Sequence, residues 1–244
     1  MARIGLAVVG LGVAAALTAC GGGDDGSDGA SGGGGDFADQ SADEIVKGAK
    51  SDMADLDAVK VAGSLSSSGQ DITLDIQANA DGDCTGSIGV GGGSAELLGV
   101  GGQTWMKPDE AFWKASAGDS ADQIISLVGG KWVVIPGDED SLNTFCDVDE
   151  LLDQLLKDED SGSTYSKNGT DEVDGDEVVK IDNEDKEEGT STGYVLVDDP
   201  HYLVKIEKTE GDDTGSVTFS EFDEEFEVEA PADEDVIDLD KLSS

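Results

Sequence analysis

The chain has 244 residues, with 56 Asp and Glu against 14 Lys and Arg and a formal net charge of -42 at pH 7. A surface of that sign repels phosphate backbones, which excludes nucleic acid as a partner, and it holds a folded part away from anionic headgroups. Hydrophobic residues make up 37% of the chain, enough for one domain with a real core once the amino-terminal region is set aside.

That region comes first. Ile4 to Leu17 consists of Ala, Val, Leu, Ile and Gly alone, after a short head carrying Arg3. The stretch has the length of a signal-peptide core and is too short for a comfortable membrane span. "LTAC" follows, Leu17 to Cys20, and resembles the lipobox of bacterial lipoproteins. A peptidase needs small side chains beside its scissile bond, and cysteine offers the thiol for a thioether. The resemblance implies cleavage before Cys20, acylation of its thiol, and attachment to the outer face of the cell membrane. An ordinary secretory signal cut after Ala19 is the alternative, and both place the mature chain outside the cytoplasm.

Gly21 to Asp36 holds no side chain able to bury anything and reads as a tether, with an end-to-end distance of roughly 20 to 24 Å as a Gly-rich coil. The expected organisation is therefore a signal peptide over 1–19, a lipidated Cys20 and tether over 20–36, and a single domain over 37–244. With Cys20 committed to lipid, Cys84 and Cys146 remain as a pair in an oxidising compartment, where a disulfide is the expected state. Two thiols and one histidine, His201, are too few for a structural zinc site.

The domain opens with a helix. In "SADEIVKGAKSDMADLDAVK", Ser41 and Glu44 form a capping box and Ile45, Val46, Ala49, Met53 and Leu56 share a face. From Val59 the period becomes two: Val59, Val61 and Leu65, then Ile72, Leu74 and Ile76, then Ile88 and Val90, the mark of half-buried antiparallel strands. "QTWMK" and "AFWK" flank Pro108 and Asp109 as an expected hairpin. A helix over "SADQIISLV", capped by Ser120, precedes the strand "KWVVIP", and "DVDELLDQLLKD" is a helix with Leu151, Leu152, Leu155 and Leu156 as its stripe. "DEVVKIDN", "TSTGYVLVD", "HYLVKIEKTE" and "GSVTFSEF" read as strands, and "FEVEAP" as a final one. Helices inserted between runs of strands need a sheet face to cover, so the fold class is α+β.

This order, with its lipobox, tether, opening helix, "QTWMK…FWK" segment, helical insert, "YVLVDDPHYLVKIE" hairpin and "VTFSEF…FEVEAP" ending, resembles the LppX/LprAFG-type lipoproteins of actinobacteria from about Asp36 to Leu242. The resemblance implies a large curved antiparallel sheet, a half-open β-barrel similar to the lipoprotein carrier LolA, covered by helices on its concave face. It also implies an apolar pocket for a lipid or glycolipid, and a role carrying amphiphiles between membrane and cell envelope. It brings no catalytic residues. The Gly-rich stretch Gly86 to Gly102 departs from that pattern, since glycine supplies no apolar wall, and points to a shallow or closed pocket.

The chemical alternatives lack their motifs. His201 sits in an expected tight turn, solvated, with no nucleophile elbow anywhere. Asp81 and Asp83, and Asp171, Asp174 and Asp176, do not match a calcium loop. No enzyme activity, cofactor or metal is expected, and the domain is expected to be a monomer. The candidate ligand-pocket residues are Leu151, Leu152, Leu155, Leu156 and Trp105, although aromatic residues in short strands are more often core. A surface lipoprotein with a structural, sensory or partner-presenting role and no ligand is the competing function.

Overall fold

The computed structural model describes residues 37–67, 69–135, 144–156, 164–185, 189–211, 213–238 and 241. The signal segment, Cys20 and the tether lie outside the described residues, as do 136–143 and 157–163. The described residues belong to one compact unit, Gly32–Ser244.

Twelve strands form one sheet: β1 (Ala58–Ser67), β2 (Gln70–Asn79), β3 (Cys84–Val90), β4 (Gly93–Val100), β5 (Gln103–Pro108), β6 (Trp132–Ile135), β7 (Thr164–Val173), β8 (Asp176–Asp185), β9 (Gly189–Leu196), β10 (Leu203–Lys208), β11 (Thr214–Ser220) and β12 (Val236–Ile237). Their order is β12-β6-β5-β4-β3-β2-β1-β11-β10-β9-β8-β7. Two meanders, β1 to β6 and β7 to β11, are joined where β1 pairs with β11. The sheet curves without closing, and β12 and β7 are its edges. Every pairing is antiparallel except β12 with β6.

The register explains the alternation in the sequence. Val61 faces Ile76, Ile76 faces Gly86, Gly86 faces Leu97 and Leu97 faces Met106, so one apolar row crosses five strands on the concave face. Four of the eight glycines in the Gly-rich stretch from Gly86 to Gly102 form turns. Val90 pairs with Gly93 and Val100 with Gln103, leaving Gly91–Gly92 and Gly101–Gly102 as two-residue turns with positive φ at both positions, a conformation that glycine adopts without a steric penalty.

Among the described residues four helices accompany the sheet: α1 (Ala42–Ala54), α2 (Glu110–Ala117), α3 (Ala121–Val128) and α4 (Val148–Leu156). Helix α1 has the expected capping box, with Ser41 Oγ accepting from Glu44 N and the Glu44 carboxylate accepting from Ser41 N. It buries Ile45, Ala49 and Met53. Asp147 Oδ1 accepts from Glu150 N at 3.0 Å and starts α4, whose Val148, Leu151 and Leu152 are buried. These side chains meet Val59, Val61, Ile76, Leu97, Val179, Val195 and Phe219 in the main core. A smaller cluster, Ala95, Met106, Phe112 and Ile135, lies under α2.

Three local expectations are corrected. "AFWK" is the body of α2, not a strand, because Pro108 ends β5 and Asp109 Oδ1 accepts from Phe112 N at 2.6 Å as an N-cap. Ser120 makes no side-chain cap to α3, which instead continues from a 3-10 turn over Gly118–Ser120. "FEVEAP" is not a strand: β11 already lies between β1 and β10, so the chain leaving it finds no free edge. It reaches one only at β6, through Val236 and Ile237.

Cys84 and Cys146 are joined by a disulfide with a Cα–Cα distance of 4.8 Å and both residues buried. It ties β3 to the short 3-10 turn just before α4 and so fixes the start of that helix on the concave face. Gly99 makes room for it, since a Cβ there would lie 2.8 Å from Cys146 Sγ and 2.9 Å from Cys84 Sγ.

The bond spans 62 residues of sequence, so converting both cysteines to Ala is expected to cost about 4 kcal/mol of stability in urea unfolding. Gly99→Ala should also lower the urea midpoint with the disulfide intact; an unchanged midpoint would mean that the packing around the sulfurs is loose.

Candidate functional site

On the concave face the apolar rows continue into the second meander. Val179 faces Val195, and Ile181 faces Gly193, which in turn faces Ile206. One step further out, Asn183 faces Ser191. Helices α1 and α4 pass over these rows without filling the space above them. A cavity of about 230 Å³ remains, walled by Val46, Ala49 and Met53 of α1, Leu155 and Leu156 of α4, and Ile181, Gly193, Val195, Leu203 and Ile206 of the sheet. A second hollow of about 200 Å³ adjoins it through Leu155, Asn183, Ser191 and Ile206, and reaches Leu65, Lys208 and Gly215 at the outer rim. Leu65 is 42% exposed there.

Gly193 forms the floor of the larger cavity. A Cβ on it would meet only Leu203 Cδ1 at 3.3 Å and Ile181 O at 3.8 Å, so the space above it is open to whatever enters. Lys50 of α1, Tyr165, Asn183 and Ser191 add polar groups to the cavity wall. Asn183 Oδ1 is buried with no hydrogen-bond partner, unusual for a folded protein, where such atoms nearly always find one. Further charged groups stand on the opposite face. Tyr194 Oη donates to Glu207 Oε2 at 2.9 Å and Lys205 Nζ to the same oxygen at 3.0 Å. Burial, and then the Glu207 carboxylate, push the Tyr194 hydroxyl up to about 12.

The four leucines of α4 divide into two pairs. Leu155 and Leu156 line the cavity, whereas Leu151 and Leu152 are buried in the core. Trp105 pairs with Leu98 and Val134, one residue out of phase with the buried Thr104 and Met106. It therefore stands on the outer face of the sheet, away from the cavity. The region over β3 and β4 is closed by packed side chains, and the open space lies instead over β8 to β10. Ile181, Asn183, Gly193 and Ile206 carry no site motif in the sequence. The alternation in "DEVVKIDN" marked a buried face, but nothing in it marked a face left uncovered.

His201 is not a solvated turn residue. Its ring stacks on Phe37 at 3.5 Å between centroids, and its backbone N donates to Asp52 Oδ2 of α1 at 2.8 Å, which ties the β9–β10 turn to the covering helix. The acidic pairs serve turns and ion pairs: Asp83 Oδ1 accepts from Gly101 N at 3.0 Å and Asp171 Oδ2 from Lys180 Nζ at 3.3 Å. Among the described residues no group of three or more His, Cys, Asp or Glu side chains could hold a metal ion. No helix among them is long and apolar enough to cross a membrane.

Given this division of α4, Leu151→Ala should cost about 2 to 5 kcal/mol by opening a hole in the core, and Leu155→Ala clearly less. Urea unfolding of both variants tests this; equal losses would place Leu155 in the core as well.

No family model matches the sequence, and no curated relative matches it significantly. Solved structures do. LprF from Mycobacterium bovis aligns at 15% identity over 78% of this chain and 97% of that chain, with a TM-score of 0.54. The lipoprotein LppX from Mycobacterium tuberculosis aligns at 15% identity over 76% and 97%, with a TM-score of 0.48. At these identities only architecture is comparable, and the LprF match carries it: the chain has the fold of LprF, an open curved sheet with helices over one face.

Proposed function

We propose that this protein is an extracytoplasmic lipoprotein, anchored at the outer face of the membrane through acylated Cys20, that holds a lipid or other amphiphile in the groove under α1 and α4. The observation that carries the proposal is the cavity over Gly193, with Ile181, Val195, Leu203 and Ile206 on its floor and helix walls that are apolar except for Lys50, continuous with a hollow at the rim. Burying hydrocarbon there gains about 25 cal/mol per Å², and the acidic exterior keeps the loaded domain soluble. The fold shared with LprF and the sequence "LTAC" support the same reading. Two or more acyl chains on Cys20 hold stably where one holds only reversibly, so the domain would work within a tether's length of the bilayer.

Two variants test the two halves of the proposal. Cys20→Ala should move the protein from the membrane fraction to the medium; unchanged retention would show that another contact holds it. Leu155→Trp should fill the cavity from the helix side and lower binding about tenfold or more in a fluorescent fatty-acid or phospholipid displacement assay, with the unfolding midpoint nearly unchanged. If the unmodified protein binds no amphiphile at micromolar concentration, the carrier function fails and a surface lipoprotein without a ligand takes its place.

A further inference from the structure

We propose that the groove takes an amphiphile with one hydrocarbon chain and one anionic head, a carboxylate or a phosphate, with the chain lying over Gly193 and the head at Asn183, Ser191 and Lys208; this rests on the amphiphile-binding function proposed above. Width limits the chain. Ile181 on β8 and Ile206 on β10 flank Gly193 on β9, and two strand spacings of about 4.8 Å separate the outer pair. The two isoleucine side chains take up part of that span, which leaves a trough one hydrocarbon chain wide. Volume agrees, since about 230 Å³ falls below the roughly 300 to 1,000 Å³ of sites for larger ligands. Lys208 stands in the adjoining hollow, and its charge makes that hollow a poor place for a second tail.

Chemistry fixes the head. Asn183 faces Ser191, and Glu207 faces Thr192 on the outer side, so Lys208 comes beside Ser191 on the concave face. Three neighbouring strands thus put an amide, a hydroxyl and an ammonium in one row where the apolar floor ends. Asn183 Oδ1 has no partner, and an amide reversed end for end presents N–H instead of oxygen, so this side chain is free to meet a ligand. Lys208 forms no ion pair among the described residues, in a chain with four acidic side chains for every basic one, whereas Lys50 on the cavity wall and Asp185 at the rim already have partners. Ammonium, amide N–H and hydroxyl together make a donor set for an oxyanion, and charge-assisted bonds of this kind are roughly twice as strong as neutral ones.

The test uses the full mature protein with cis-parinaric acid as the fluorescent probe. Competitors are palmitate, 1-palmitoyl lysophosphatidic acid, hexadecanol and dipalmitoyl phosphatidylglycerol. One probe should bind per chain. Palmitate or the lysophosphatidic acid should displace it at least about tenfold better than hexadecanol, the stronger of the two showing whether the head is a carboxylate or a phosphate. Lys208→Gln should remove that advantage and leave hexadecanol unaffected. Asn183→Asp, which sets a carboxylate beside the head, should weaken both acids while the thermal midpoint of each variant stays near that of the parent. Displacement by the two-chain phosphatidylglycerol as strong as that by palmitate would overturn the single-chain limit, and unchanged palmitate binding in Lys208→Gln would overturn the head assignment; in either case amphiphile binding itself would stand. Failure of every probe to bind would remove the function proposed above along with this inference.

Discussion

An apolar sheet face in water must be covered, and over β8 to β10 the described part of α1 and α4 leaves a gap. Twelve strands at about 4.8 Å each give a sheet more than 50 Å across along its curve. Helix α1 has 13 residues and α4 has 9, about 20 Å and 14 Å of helix at 1.5 Å per residue. The disulfide holds the start of α4 against β3, and Lys167 Nζ of β7 donates to Ala38 O just ahead of α1. With both helices placed in this way, the rows under Leu151, Leu152 and Ile45 pack fully, and the rows under Leu155 and Leu156 do not. The cavity is what is left.

This explains how much could be read in advance. The capping box at Ser41 and Glu44, the period-two runs from Val59 to Val90 and the cysteine arithmetic are local signals, and the structure has the elements they imply. The face covered by α1 was legible for the same reason, since Ile45, Ala49 and Met53 recur at helical spacing. Strand β7 was not legible. Nearly all of its residues from Thr164 to Val173 are exposed, so it carries no alternation, and it exists because β8 offers it an edge. "FEVEAP" shows the converse, an alternating segment with no edge to join. The leucine stripe of α4 is uniform in sequence, and only the position of the helix over the sheet separates the leucines that close the core from those that border a cavity.

Charge is arranged by the same geometry. Period-two alternation sends Lys205, Glu207 and Tyr194 to the outer face and Ile206 to the inner one, so the ion pairs form where water screens them. Beyond the end of the sheet, Asp57, Asp81, Asp223, Glu224, Glu225 and Glu227 border an open acidic hollow of about 530 Å³. Asp223 Oδ1 accepts from Asp57 N at 2.7 Å, a structural use of one of these acids. The rest make a solvated, acidic surface.

On the proposed function, a ligand occupies the space over Gly193 in the working protein. Native mass spectrometry of the protein purified from its own membrane measures this directly. Lipid binding predicts a second species heavier than the acylated chain by the mass of one lipid, and predicts that it vanishes in Gly193→Leu, whose side chain would fill the trough, while that variant stays folded. A single bare mass for the parent protein, or an adduct equally abundant in Gly193→Leu, would contradict it.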